Sequence, residues 1–198
     1  MRPSPIMNSA LTALALAGLA TSAVAGSTKA VLRTELQVPV QALVEENSAT
    51  IERAFKALES KDEPPRKLLD AVTVDVEKKL VTLVIAPGQK VALSQIQRVL
   101  TAGKARLDPA TLRIKEAQLV IRAAASEDDH TDALERVLRA KAAYSEVEIE
   151  RETKASLYRA RVKGGSERAT HDGVRKVVES AAEGMSLADV IWAAPKAE

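Results

Sequence analysis

The chain has 198 residues, 46% of them hydrophobic, with 29 Lys and Arg against 27 Asp and Glu and no cysteine. A net charge this close to zero gives no electrostatic basis for binding nucleic acid or an anionic membrane, and two Tyr, one Phe and one Trp give no aromatic platform for stacking bases. The missing cysteine excludes disulfides, a thiolate metal site, a Cys nucleophile and a lipoprotein anchor.

Residues 1–25 read as a secretory signal peptide. Arg2 supplies a positive charge, Leu11 to Ala20 is an apolar run of h-region length, and Ala23-Val24-Ala25 is a small-x-small cleavage site. The run is short of the roughly 20 apolar residues that span a bilayer, and no later stretch is longer. The expectation is an exported protein, periplasmic or secreted after cleavage, whose mature form does not cross the membrane.

After the leader, Val31, Leu32, Leu36, Val38 and Val40 predict a strand. Pro39 lacks an amide donor, which suits an edge or a strand end. A loop, ALVEEN, precedes a helix over 49–60 with Ser48 as N-cap and Ile51, Ala54, Phe55 and Leu58 on one face. Residues 61–67, KDEPPRK, cannot continue that helix. Val72, Val74 and Val76 alternate with polar residues, Glu77-Lys78-Lys79 turns the chain, and Leu80 to Ala86 forms a second strand that Pro87-Gly88 ends. Val91, Ile96, Val99 and Leu100 mark a second helix closed near Gly103. Leu107, Leu112 and Ile114 predict a further strand, interrupted by Asp108-Pro109.

The pattern then restarts. A strand over 117–123 is followed by a loop, a helix from Thr131 holding Leu134, Val137 and Leu138, and strands around Val147 to Ile149 and Leu157 to Val162. Gly164-Gly165 breaks the chain, Val174, Val177 and Val178 mark a helix running toward Gly184, and Leu187 to Ala193 closes with a strand containing Trp192. The predicted fold class is α+β: two tandem ferredoxin-like βαββαβ units, each an antiparallel sheet with two helices on one face. The boundaries fall at 26–115 and 116–198. The connection at Lys115-Glu116 is short enough that the two units should pack together or share sheet edges.

The first unit resembles the heavy-metal-associated domain family. The family's I-E-x-A-L helix pattern is matched by Ile51-Glu52-Arg53-Ala54-Phe55. Its hairpin pattern is matched by Val72-Thr73-Val74-Asp75 and Val81-Thr82-Leu83, and its closing A-G pair by Ala102-Gly103. The resemblance implies a small open-faced sheet fold that carries soft metal on a C-x-x-C pair before the first helix. Counting back from Ile51 puts Val44 and Asn47 at those positions. Neither is a thiolate, so this unit should not hold copper(I) or mercury. Counting back from Leu134 in the second unit gives Glu127 and His130. With Asp129 these form a candidate metal set, Glu127, Asp129 and His130, suited to zinc, nickel or copper(II). The alternative for the same loop is a solvated run of acids at a helix N-terminus. His171, the other histidine, starts the second unit's second helix, away from that loop.

No phosphate-binding glycine loop occurs, and neither Ser126 nor Ser166 sits in a nucleophile elbow. The arginine-bearing phosphate loop of acylphosphatases, which share the open-faced fold, has no counterpart in VQALVEEN. The leading expectation is therefore a non-catalytic module binding an envelope or extracellular protein or peptide at a sheet face or edge, with no cofactor. The alternatives are a metal-handling protein using the Glu127 to His130 loop, and a hydrolase on the same fold.

Overall fold

The structure is a computed structural model and describes residues 34–124, 128–152 and 156–196. The predicted leader, with Val31 and Leu32, lies outside the described residues. The elements run β1 (Thr34–Gln41), α1 (Glu45–Lys56), β2 (Leu69–Asp75), β3 (Leu80–Ile85), β4 (Lys90–Ala92), α2 (Leu93–Ala102) and β5 (Arg106–Leu107). They continue as β6 (Ala117–Arg122), α3 (Thr131–Ala140), β7 (Glu146–Glu152), β8 (Leu157–Lys163), α4 (His171–Glu179) and β9 (Ser186–Ala193).

Two antiparallel sheets result. One has the strand order β2-β3-β1-β5, the other β4-β9-β6-β8-β7. The alternation that marks the strands in sequence is the alternation that buries them. Leu36, Val38 and Val40 of β1 and Val81, Leu83 and Ile85 of β3 join Ile51 and Phe55 of α1 and Ile96 and Leu100 of α2 in the core. In the second sheet Leu119, Ile121, Tyr158, Ala160 and Val162 join Leu134 and Leu138 of α3 and Val174 and Val178 of α4. Trp192 is also core, 4% exposed. Gly103 lets α1 and α2 approach: a Cβ there would stand 2.4 Å from Ile51 Cγ1.

The sheets are tied together by backbone. β4, from the first half of the chain, pairs antiparallel with β9 through Lys90↔Ala193, Val91↔Trp192 and Ala92↔Ile191. The spacing of Val91 suits a helix, but its side chain is fully buried and its main chain completes this ladder, so it becomes strand. A bulge in β9 opposite Val120 and Ile121 shifts the register at Asp189. The Asp189 carboxylate then accepts from the Ser94 N–H at 3.2 Å and the Ser94 hydroxyl at 2.6 Å, capping the N-terminus of α2 from the other sheet.

Besides β4, helix α4 differs from the sequence reading in ending at Glu179 and not near Gly184, and three further features differ. Helix α1 begins at Glu45, ahead of Ser48, because Asn47 Oδ1 accepts the Val44 N–H at 3.0 Å and Glu45 and Glu46 favour the first turn electrostatically. It ends at Lys56, although Leu58 still packs on the core. The strand expected through Leu107, Leu112 and Ile114 stops at Leu107. Beyond it Leu112 and Ile114 remain buried, but the Leu112 C=O accepts from His171 N–H and the Ile114 N–H donates to the Ala169 C=O. Pro39 is neither on a sheet edge nor excluded from the ladder. β1 lies between β3 and β5, and Pro39 accepts from the Asp108 N–H at 2.9 Å where it cannot donate.

Candidate functional site

The loop predicted to hold metal is only partly described: Glu127 and Ser126 lie outside the described residues. Asp129 and His130 immediately precede α3. The Asp129 carboxylate accepts from the Thr131 hydroxyl at 2.6 Å and the Thr131 N–H at 2.9 Å, and lies 3.9 Å from the Arg151 guanidinium. These Thr131 hydrogen bonds, helped by Arg151, hold its carboxyl below the usual range. The His130 N–H donates to the Tyr158 hydroxyl at 3.1 Å, and the Tyr158 ring, 1% exposed, has Arg151 at 5.8 Å from its centroid. Asp129 thus closes the first turn of α3. No group of three His, Cys, Asp or Glu side chains among the described residues is arranged to hold a metal ion.

The equivalent junction before α1 closes differently. Val44 is the N-cap residue and is 45% exposed, while Asn47 Nδ2 donates to the Ala42 C=O at 3.0 Å. His171 is the first residue of α4, behind the Thr170 cap, whose hydroxyl accepts from the Gly173 N–H at 3.2 Å. Its Nδ1 is buried without a hydrogen bond and stands 3.7 Å from Asp172. Burial lowers its pKa against the opposing pull of Asp172. Ser166 Oγ donates to the Ala142 C=O at 3.3 Å and accepts from the Arg168 N–H at 3.2 Å, a turn-holding role.

The site that the fold builds lies elsewhere. The strand faces opposite the helices are open, and a groove of about 990 Å³ runs between the two sheets. Thr34, Glu35, Gln37, Pro39 and Leu80 line it from the first sheet, and Gln118, Arg161, Lys163, Ile191 and Ala193 from the second. Arg113, Lys115 and Glu116, from the connection between β5 and β6, lie along it as well, as does Lys90 of β4. Five lining residues are basic (Lys90, Arg113, Lys115, Arg161 and Lys163) and two are acidic (Glu35 and Glu116).

Three of the cations are already engaged. Arg113 pairs with Glu167 at 3.2 Å, Lys163 with Glu146 at 3.4 Å, and Arg161 lies 3.7 Å from Glu150 and 3.9 Å from Glu148. Lys90 and Lys115 make no ion pair among the described residues. A sheet face or edge was the expected place for a partner, but the sequence does not name these residues, because they come from strands and connections far apart in the chain. The available signal was Asp108-Pro109, which ends β5 after two residues and leaves the flank of β1 uncovered.

No family model and no curated protein sequence matches the chain. Among solved structures, the water-soluble region of the P-type ATPase CopA from Bacillus subtilis is similar at a TM-score of 0.34 and 12% identity, over 79% of this chain and 91% of that one. At that score the likeness fixes neither fold family nor function.

Proposed function

We propose that the chain is an exported, non-catalytic binding module of two tandem heavy-metal-associated-like ferredoxin units, and that it holds a protein or peptide partner in the groove between its open sheet faces. The observation that carries this reading is the groove itself: a concave surface of about 990 Å³ lined by strands of both sheets and carrying charged side chains of both signs. Two features support the tandem reading. Each half runs β-α-β-β-α-β once β4 is set aside, and each sheet places its first strand between its third and its last. Among the described residues no helix is long and apolar enough to cross a membrane.

Site-specific photocrosslinking tests the reading. A crosslinking residue at Gln118, on the groove floor, should capture one envelope protein that the same residue at Arg136, on the outer face of α3, does not. Capture from neither position, or equally from both, rejects the groove as the partner site. N-terminal sequencing of the exported protein should begin at Gly26. Turnover in a phosphatase and esterase screen would overturn the non-catalytic part.

A further inference from the structure

The first sheet ends on β2. In β1 the Val40 N–H donates to the Lys79 C=O at 2.8 Å, and the β1–β3 register carries that phase to Val81, Leu83 and Ile85, whose main-chain groups point toward β1. Leu80, Thr82 and Val84 therefore point toward β2, where they face Asp75, Thr73 and Ala71. The N–H and C=O groups of Val72 and Val74 point the opposite way, off the sheet, and have no ladder partner among the described residues.

The lane beside β2 is filled at its start. Residues 58–60 run antiparallel to 66–68, with the Leu68 N–H donating to the Leu58 C=O at 3.0 Å and the Ser60 N–H to the Arg66 C=O at 2.7 Å. Past the bulge between Leu69 and Ala71, the lane is open as far as the turn at Glu77.

A strand that pairs with its own copy must be self-complementary about a two-fold axis. Val72-Thr73-Val74 reads the same in both directions. Run antiparallel about Thr73, each copy's Val72 meets the other's Val74, and their free N–H and C=O groups make a hydrogen-bonded pair on each side of the axis. Thr73 faces Thr73, Ala71 faces Asp75 and Asp70 faces Val76, so no charge faces its like. The next register toward 58–60 would drive the copy's turn into that segment. The next register the other way would pair Val72 with Val76, whose C=O already accepts the Lys79 N–H at 3.2 Å.

The other open strands do not offer this. In β7 the positions that share a face, Glu146, Glu148, Glu150 and Glu152, would meet one another in any self-pairing that keeps the faces matched. β4 runs for three residues before α2 begins. The open flank of β1 is closed at both ends: Asp108 donates to the Pro39 C=O, and the Ala193 C=O accepts the Thr34 hydroxyl at 3.5 Å. A strand that continues into a folded copy cannot enter it.

We propose that β2 is a dimer seam: a second copy of this chain adds antiparallel along Val72–Val74, about a two-fold axis at Thr73, and joins two four-stranded sheets into one continuous sheet. The edge is used up when the pair forms, so association stops at the dimer. No residue of β2 lines the groove, which stays free for its own occupant.

The chain has no cysteine, so one introduced thiol reports its own neighbour. Thr73→Cys should give a disulfide-linked dimer under mild oxidation, because facing residues without mutual hydrogen bonds lie close enough for the bridge, and Arg136→Cys should not. Sedimentation of the exported chain at concentrations up to about 1 mM should show a dimer, since a seam this small belongs with weak interfaces. Thr73→Lys sets like charges together on the axis and should raise the dissociation constant about fivefold, as should Thr73→Glu. Mixing these two variants should restore dimerisation. Thr73 is exposed, so neither change should move the thermal midpoint of the monomer.

A monomer at every concentration overturns the proposal. So does a dimer that Thr73→Lys leaves unchanged, or one that crosslinks equally well from Arg136→Cys. A mixture that associates no more tightly than either charged variant alone overturns the axis at Thr73.

Discussion

The two sheets share a strand layout but treat their edges in opposite ways. In the second sheet, β4 pairs with Ile191 to Ala193 of β9, and β7 carries a cross-strand ladder in which Glu146, Glu148 and Glu150 face Lys163, Arg161 and Arg159. In the first, the strand beside β1 is two residues long, and the flank of Glu35 and Gln37 stays open beside the groove. Exposed ion pairs like those of the ladder contribute little to stability, about 0–1 kcal/mol each. Their consequence is for association, since they make β7 a poor template. The first sheet has a second outer strand, β2, whose ladder with β3 is interrupted by a bulge between Leu69 and Ala71.

The largest effect should come from removing the cover of the second sheet. Trp192 lies opposite Val91, and both are buried. Trp192→Ala should cost about 3–5 kcal/mol, the range for deleting a large buried aromatic. Denaturant unfolding checks this, and a loss below about 1 kcal/mol would mean that β4 is held by its backbone alone.

A smaller effect is expected from the side-chain tie between the sheets. Asp189→Ala removes the acceptor for two donors at the start of α2 and should cost about 1 kcal/mol, the usual worth of a helix cap. Asp189→Asn should recover most of that, because an amide oxygen also accepts. Thermal midpoints of the two variants decide it; equal losses would assign the effect to the bulge and not to the cap.

Much of this organisation was legible in the residues. Ile51 and Phe55, Val72 and Val81, Leu134 and Leu138 announce their burial by spacing, and each lies in the core. The start of α1 was misjudged because Ser48, a good cap by type, is already inside a helix that Asn47 closes from its own first turn. Strand β4 was invisible because three residues carry no periodicity, and its partner in β9 is about a hundred positions away in the chain. The groove was invisible for the same reason. Lys90, Lys115 and Gln37 are unremarkable until the topology brings them to one surface. The loop before α3 had the right residue types for metal, but type does not reveal that Thr131 takes the Asp129 carboxylate.

The helix starts sharpen the contrast between halves through pH. Helix α2 opens on Leu93, whereas α4 opens on His171 with its buried Nδ1. Burial, the main cause, depresses the folded-state pKa of His171, so the unfolded chain takes up the proton first. Stability should be complete above the unfolded value of about 6.5 and should fall as pH drops from there toward the folded value. Asp129 and Asp75, whose carboxyls are held low by their hydrogen bonds to Thr131 and Lys78, add losses only at more acid pH, below about 4. Thermal midpoints between pH 7.5 and 5 should thus decline in the native chain and stay flatter in His171→Gln. An equal decline in both would place the sensitivity elsewhere.

The smallest expected effect concerns metal. Calorimetric titration with zinc, nickel and copper(II) should release no heat that depends on His130. A metal ion at that loop must draw the Asp129 carboxylate away from two hydrogen bonds to Thr131 and from Arg151, uncapping α3 as it does so. Coordination by a histidine and one or two carboxylates has to exceed that loss, and tight zinc sites use three or four convergent ligands. Heat that disappears in His130→Ala would reverse the conclusion. It would show that the second half keeps an ion-binding junction where the first half, with Val44 and Asn47, has none, and the difference between the halves would then lie in their helix starts as much as in their sheet edges.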